Sequence, residues 1–250
     1  MLFTRATFIG VDISPRSKSL SYAAIDGNLK IIAMGEGDNN EILAFLGGQQ
    51  EAVVAMNAPA QPNQGFMAQE DYREKLIPQP KSGKWTDLRV CEYILIQQDI
   101  LVYHTISNPK KAKRWMREGF QIYKRLQTLG YQITPGESDL LLIEAIPEVS
   151  YATWLGKLLL PYNNLEGRLQ RQLILYELGL GVPEPMGFFE EITRFRLLQG
   201  ELPKEVLYSA GELQALANAY LAWAYSNRNN SIAFIGEEKE GGIFLPSATI

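Results

Sequence analysis

The alternation of hydrophobic and polar positions near the start of the chain predicts three short strands. Thr7 to Val11 and Leu20 to Ile25 are apolar runs rich in strand-forming residues, separated by a polar segment. The Asp26-Gly27 pair then reverses the chain into Leu29 to Met34, because glycine tolerates the positive φ of a tight hairpin turn. Together these patterns predict a three-strand antiparallel meander.

A crossover helix and a buried strand are predicted after the meander. Asp38 and Asn39 offer an N-cap, apolar residues follow at helical spacing, and Gly47-Gly48 stops the helix. Glu51 to Met56 is then a nearly continuous apolar run, which is typical of a strand buried on both faces and parallel to the first. Strand, strand, strand, helix, strand is the opening of the ribonuclease H-like fold. We therefore expect an α/β fold with a mixed sheet flanked by helices.

The remainder of the chain fits one such domain, spanning residues 1–250, with an insertion. Gln61 to Pro109 has little periodicity, and we interpret it as an insertion at the rim of the sheet. The later segments are predicted as helices at Lys113 to Leu129, Leu165 to Leu178, Phe189 to Leu198 and Ser209 to Ala224, and as strands at Asp139 to Ala145, Ile232 to Ile235 and Gly242 to Leu245.

Composition excludes several classes of protein. With 250 residues, 46% of them hydrophobic, the chain can bury a full core. Its apolar runs fall short of the roughly 20 residues that cross a bilayer, and no secretory signal is apparent, so we expect a cytoplasmic protein. Cys91 is the single cysteine and His104 the single histidine, which excludes an intramolecular disulfide and any site that needs two histidines.

Polar residues recur where the predicted parallel strands end. In a ribonuclease H-like arrangement, acidic residues at the ends of adjacent strands and on a late helix converge, and the order Asp12, Asn57, Glu144 and then Ser209 to Ala224 reproduces that pattern. Converging carboxylates can hold two Mg²⁺ or Mn²⁺ ions about 4 Å apart for phosphodiester hydrolysis. The alternatives are that Asp12 caps a turn and that Glu144 pairs with a nearby arginine.

Several short motifs, taken in order, cover nearly the whole chain. They are Phe8 to Asp12, Ala55 to Pro59, Arg89 to Glu92, Trp115-Met116 with Gly119, Ile143 to Glu148, Gly167-Arg168 with Arg171, and Ala215 to Tyr220. In these motifs the chain resembles the domain-of-unknown-function 429 family, a set of predicted ribonuclease H-like nucleases. The resemblance implies a metal-dependent nuclease with Asp12 and Glu144 as metal ligands. It also implies that Arg89, Glu92, Arg168 and Arg171 line the same region.

The chain departs from this family pattern at the predicted metal centre. Asn57 stands where the Asp of an Asp-Ala-Pro motif is expected, and Gly211 and Gln214 stand where the late helix usually offers Asp. An amide keeps an oxygen ligand but loses a full charge, so Asp12 and Glu144 alone would hold at most one ion weakly. Glu212 is a candidate substitute, with the alternative that it forms a capping box with Ser209.

A local excess of positive charge offers a candidate nucleic-acid contact, although the net charge of the chain is −4. Between Lys110 and Arg125 there are seven Lys or Arg residues and one acid, Glu118, and aromatic residues are interleaved with them. Lys113 is our candidate for phosphate contact there. The alternative is an ordinary helix, with its aromatic residues in the core and its basic residues in solvent.

Three functional hypotheses follow from these patterns. The first is a ribonuclease H-like, metal-dependent nuclease with a degenerate site that uses Mg²⁺ or Mn²⁺. The second is a catalytically inactive nucleic-acid-binding or scaffolding protein of the same fold, which the Asn57, Gly211 and Gln214 departures favour. The third is a small-molecule phosphotransferase of the actin-like superfamily, although the chain shows no second, duplicated domain.

Overall fold

The computed structural model describes residues 6–13, 19–80, 83, 85–136, 138–227 and 231–247. Its strands are β1 (Thr7–Asp12), β2 (Leu20–Ile25), β3 (Ile31–Gly37), β4 (Ala52–Met56), β5 (Gln132–Ile133), β6 (Leu140–Ala145), β7 (Ile232–Glu237) and β8 (Gly241–Pro246). Its α-helices are α1 (Asn39–Gly47), α2 (Glu70–Arg73), α3 (Val90–Gln97), α4 (Arg114–Thr128), α5 (Pro147–Leu155), α6 (Leu165–Glu177), α7 (Gly187–Glu190), α8 (Arg194–Leu198) and α9 (Ala210–Asn227). Single 3₁₀ turns lie at Phe66–Ala68, Pro109–Lys111 and Lys204–Val206.

The strands form one mixed sheet in the order β3-β2-β1-β4-β6-β8-β7, with β5 paired to β6. The first three strands are the expected antiparallel meander, β1, β4, β6 and β8 run parallel to one another, and β7 is antiparallel to β8. Because parallel strands share a direction, their carboxyl ends lie at one edge. The mixed α/β architecture is therefore confirmed, whereas the ribonuclease H-like assignment stays a prediction.

Helices cover both faces of this sheet. Helices α1 and α4 pack on one face, in a core that includes Val11, Met56 and Leu142. Helices α5, α6 and α9 pack on the other face, in a core that includes Phe8 and Ile143. Successive residues of a central strand belong to opposite cores, because side chains alternate between the two faces of a sheet.

One predicted helix needs correction, and the segment interpreted as an insertion contains a helix that its pattern left open. The helix expected over Phe189 to Leu198 is two short helices, α7 and α8, because Thr193 is extended (φ −101°, ψ 155°) and its hydroxyl caps the second helix. Gln61 to Pro109 contains an eight-residue helix, α3, that its weak periodicity did not predict. Apolar residues of α3, including Cys91 and Leu95, pack against Ile243 and Leu245 of β8.

In the described part of the chain, no helix has both the length and the apolar character that crossing a membrane requires.

Candidate functional site at the carboxyl ends of the parallel strands

A cavity of about 470 Å³ opens where the parallel strands end and α9 begins. Asp12 at the end of β1 and Asn57 just after β4 form its floor, and Ser21 and Glu36 extend it along the meander. The beginnings of α5 and α9 form further walls. The residues that line it are Asp12, Ser21, Glu36, Asn57, Tyr103, Ala145, Ile146, Pro147, Glu148, Tyr162, Asn163, Ser209, Ala210, Gly211 and Gln214.

Asp12 and Asn57 are brought together, as the sequence predicted. The Asn57 side-chain amide donates to Asp12 Oδ1, and the Ile13 backbone N–H donates to Asn57 Oδ1 at 2.6 Å. The amide oxygen of Asn57 is therefore engaged in bridging the two strand ends. Through these two hydrogen bonds, Asn57 connects the ends of β1 and β4 at the edge of the cavity.

The environment of Asp12 disfavours its charged form. Asp12 is 5% exposed, and its burial raises the pKa of its carboxyl from 3.8 to about 7. The hydrogen bond from Asn57 opposes this rise in pKa, and the negative charge of Glu148 adds to it. A buried carboxyl that titrates near neutrality in a cavity marks a candidate functional group.

Glu144 is not brought to this cavity. It lies in register with Met56, which in turn lies in register with Val11, and both of those residues face the core beneath α4. Asp12, the next residue along, faces the opposite side of the sheet, because side chains alternate along a strand. Ala145 is the residue of β6 that reaches the cavity.

Glu144 instead belongs to a buried ion cluster around Arg89. The guanidinium of Arg89 donates to both carboxylate oxygens of Glu144, at 2.9 and 2.5 Å, and its Nε donates to Glu92 at 3.0 Å. Glu92 also accepts the N–H groups of Arg89 and Thr105, and the Ala60 N–H donates to Glu144. Glu144 therefore pairs with a buried arginine, which is the alternative that the sequence analysis left open.

Two further carboxylates, Glu36 and Glu148, line the cavity with Asp12, and the sequence analysis selected neither of them. Glu148 lies in the first turn of α5 and accepts from Arg171 Nε at 3.0 Å, from Arg171 Nη2 at 2.5 Å and from the Gln214 side chain. Pro147 at the first helical position was the available signal, because it starts a helix directly at the end of β6.

The remaining predicted residues have other positions. Arg168 donates to the carbonyl oxygens of Leu207 and Tyr208, so it supports the segment that leads into α9. Lys113 is exposed at the start of α4. Glu212 accepts from the Ser209 N–H at 2.7 Å while Ser209 Oγ accepts from the Glu212 N–H, which is the capping box.

The late helix offers no acidic replacement at Gly211. A Cβ atom at this position would lie 2.3 Å from Ser21 Oγ, so a larger side chain requires Ser21 to move. Among the residues that the structure describes, no group of three or more His, Cys, Asp or Glu side chains is placed to hold a metal ion. The donor set therefore does not fit the two-ion centre that the family resemblance implies.

A family model described as "Protein of unknown function (DUF429)" matches residues 10–240 of the chain. No curated protein and no solved structure matches the chain.

Proposed function

Since the chain belongs to the DUF429 family, we propose that it is a ribonuclease H-like protein that binds nucleic acid without cleaving it. The sheet order supports the fold assignment, because the meander, β4 and β6 lie in the sequence β3-β2-β1-β4-β6 that this fold uses. The packing of α9 beside the end of β1 supports it as well, since that is where a late helix would complete the site.

The oxygen ligands left at the cavity are the observation that carries the proposal. Asp12 is the carboxylate at the strand ends, Asn57 supplies an amide, and Glu144 is held by Arg89 on the opposite side of the sheet. Glu36 also lines the cavity, on β3, where it accepts from the Ser19 hydroxyl at 3.0 Å, and Arg171 binds both oxygens of Glu148. Two dications need several negative charges to offset their dehydration, and these residues do not supply them.

The basic segment, which we define as Lys110 to Arg125, supports nucleic-acid binding. Its seven Lys and Arg residues are all exposed, whereas Trp115 and Tyr123 are buried against the sheet. At 100° per residue, the basic positions within α4 fall in an arc of about 100° on its outer face. Helix α4 has no acidic residue in its first turn, so the charges of Lys113 and Arg114 add to the positive end of its dipole.

The test combines binding with cleavage on the same labelled oligonucleotides. We expect binding that weakens steeply with salt, and no cleavage of single-stranded, duplex or hybrid substrates in Mg²⁺ or Mn²⁺. Reversing the charge of Lys113 and Arg117 should weaken binding, and the same change at the distant, exposed Lys30 should not. Cleavage by the wild type that Asp12→Asn abolishes would overturn the proposal in favour of the nuclease.

Restoring carboxylates tests the same argument from the other side. We expect the melting temperature of the Asn57→Asp, Gln214→Asp double variant to rise with added Mn²⁺, because the cavity then gains two carboxylates beside Asp12. Gln214 is preferable to Gly211 for this change, because a side chain at Gly211 collides with Ser21. A wild-type protein that already shows the same Mn²⁺-dependent rise would contradict our account of the donor set.

A further inference from the structure

A second cavity, of about 860 Å³, adjoins the first and shares Tyr103 with it. It lies between the insertion and the start of α4. Its lining includes Lys111 and Lys113 from the basic segment and His104, and Asp87 is the one carboxylate that the described residues contribute to it. The two cavities thus meet at Tyr103, with the two lysines in the outer cavity and Asp12 in the inner one.

Tyr103 is placed to act as a stacking surface between the cavities. The residue is 55% exposed. The buried Trp115 contacts it edge to face, with ring centroids 4.7 Å apart and planes inclined at 60°. An aromatic ring that is supported from beneath and open to solvent loses little conformational freedom when a flat ligand stacks on it.

The charge of the lining residues differs between the two cavities. The difference fits a phosphate backbone that lies in the outer cavity. Lys111 and Lys113 are exposed at the outer cavity, and no carboxylate in the described residues forms an ion pair with either. Among the residues that the structure describes, the inner cavity is lined by Asp12, Glu36 and Glu148 and by no Lys, Arg or His. A phosphate is therefore favoured at the lysines, and an uncharged base is favoured towards the inner cavity.

We propose that the cavity lined by Lys111 and Lys113 binds single-stranded nucleic acid, with Tyr103 stacking on an unpaired base at the entrance to the Asp12 cavity. This inference rests on the proposed nucleic-acid-binding function and adds the form of the ligand. A base inside a duplex has both faces covered by its neighbours, so a base must be unpaired, or lie at the end of the duplex, to stack on Tyr103. The two lysines hold the adjoining phosphates.

Fluorescence anisotropy with a labelled single strand of about 12 nucleotides, and with the duplex of the same length, tests the inference. We expect the single strand to bind at least about tenfold more tightly than the duplex at equal salt. Tyr103→Ala should weaken single-strand binding roughly tenfold, whereas Tyr103→Phe should retain it. Tyr103→Leu, which keeps apolar contact with Trp115, should show the same loss as Tyr103→Ala and controls for a packing defect.

The lysines are tested through the dependence of binding on salt. Replacing Lys111 and Lys113 together by Ala should reduce the slope of log K against log salt by about 1.4, since each phosphate contact on a single strand contributes about 0.7. The exposed Lys30, on the β2–β3 turn, is the matched control, and its replacement by Ala should leave the slope unchanged.

The outcomes separate this inference from the proposal on which it rests. Equal or tighter binding of the duplex, or single-strand binding that Tyr103→Ala and Tyr103→Leu leave unchanged, would overturn the stacking site while leaving nucleic-acid binding intact. Failure of both oligonucleotides to bind at low salt would overturn the proposed function, and this inference with it.

Discussion

Asp12 illustrates how a single residue at the cavity acts on the stability of the molecule. Its carboxyl has a pKa raised from 3.8 to about 7, so the folded protein binds its proton more tightly than the unfolded chain does. The stability that this carboxyl contributes is fully present below about pH 4 and is lost as the pH rises through about 7. Above pH 7 the folded protein therefore carries an unfavourable buried charge.

Replacing Asp12 by Asn should remove this cost, because the amide carries no charge. We expect the variant to be more stable than the wild type at pH 8, by up to about 4 kcal/mol, and the difference to shrink towards pH 4. Urea unfolding at a series of pH values measures it, with Asp139→Asn as an exposed control. A wild type that is as stable as the variant at pH 8 would refute the raised pKa.

Arg89 is the residue whose loss should cost the fold most. It is 2% exposed and is the guanidinium that faces three buried carboxylates, those of Glu92, Glu144 and Glu240. Arg89→Met would leave these acids without a cation, and we expect a loss of about 3–5 kcal/mol in the free energy of unfolding.

The matched control for Arg89 is Arg114→Met, since Arg114 also pairs with a glutamate but has a side chain that is 66% exposed. An exposed pair of this kind contributes less than about 1 kcal/mol. Equal losses in the two variants would show that burial does not set the value of the Arg89 cluster.

At the scale of the elements, α9 packs closely on β1 at Gly10. A Cβ atom on Gly10 would lie 1.9 Å from the backbone oxygen of Ala215, so the helix rests directly on the strand. The same approach lets the Asn218 side chain donate to the Val11 carbonyl oxygen at 3.0 Å. This contact places the start of α9 beside Asp12.

Gly10→Ala should therefore displace α9 as a unit. We expect it to lower the stability by about 3 kcal/mol or more, because backbone atoms cannot yield as a flexible side chain would. Gly187→Ala is the matched control, since a Cβ there meets nothing within 4 Å. Thermal unfolding followed by circular dichroism compares the two, and an unchanged melting temperature for Gly10→Ala would contradict the contact.

The sequence predicted elements better than it predicted which way their side chains face. The meander, α1 with its Asp38 cap and the capping box of α9 all follow from local patterns, and the structure confirms them. The position of Glu144 depends on the register of β4 and β6, which only the paired strands define. Glu148 was missed because a carboxylate just beyond a strand has no periodic signal. Helix α3 was missed because its apolar face packs on residues that lie far along the chain.

At the scale of the whole molecule, Glu240 joins the last hairpin to the insertion. It is fully buried at the β7–β8 turn, and its carboxylate accepts the backbone N–H of Val90 at 2.7 Å, across a separation of 150 residues. This bond holds the start of α3 in place beside Arg89. The buried ion cluster is therefore completed by a residue from the end of the described chain.

Loss of this bond should be visible at one amide. We expect Glu240→Ala to accelerate hydrogen exchange of the Val90 amide by about tenfold or more, because that amide loses its acceptor. Glu240→Gln keeps an acceptor oxygen and should retain the protection. Equal exchange in the wild type and both variants, measured by NMR, would show that the hairpin does not hold α3.

The contact between β1 and α9 also bears on how the chain is made. Val11 and Asn218 are separated by 207 residues, so the first strand cannot find its helix until most of the chain has left the ribosome. Until then, the apolar face of the growing sheet stays exposed, and long-range contacts of this kind form slowly. The Asp12 cavity is consequently assembled among the last features of the fold. A nascent chain that stalls before α9 lacks the residues that complete this cavity.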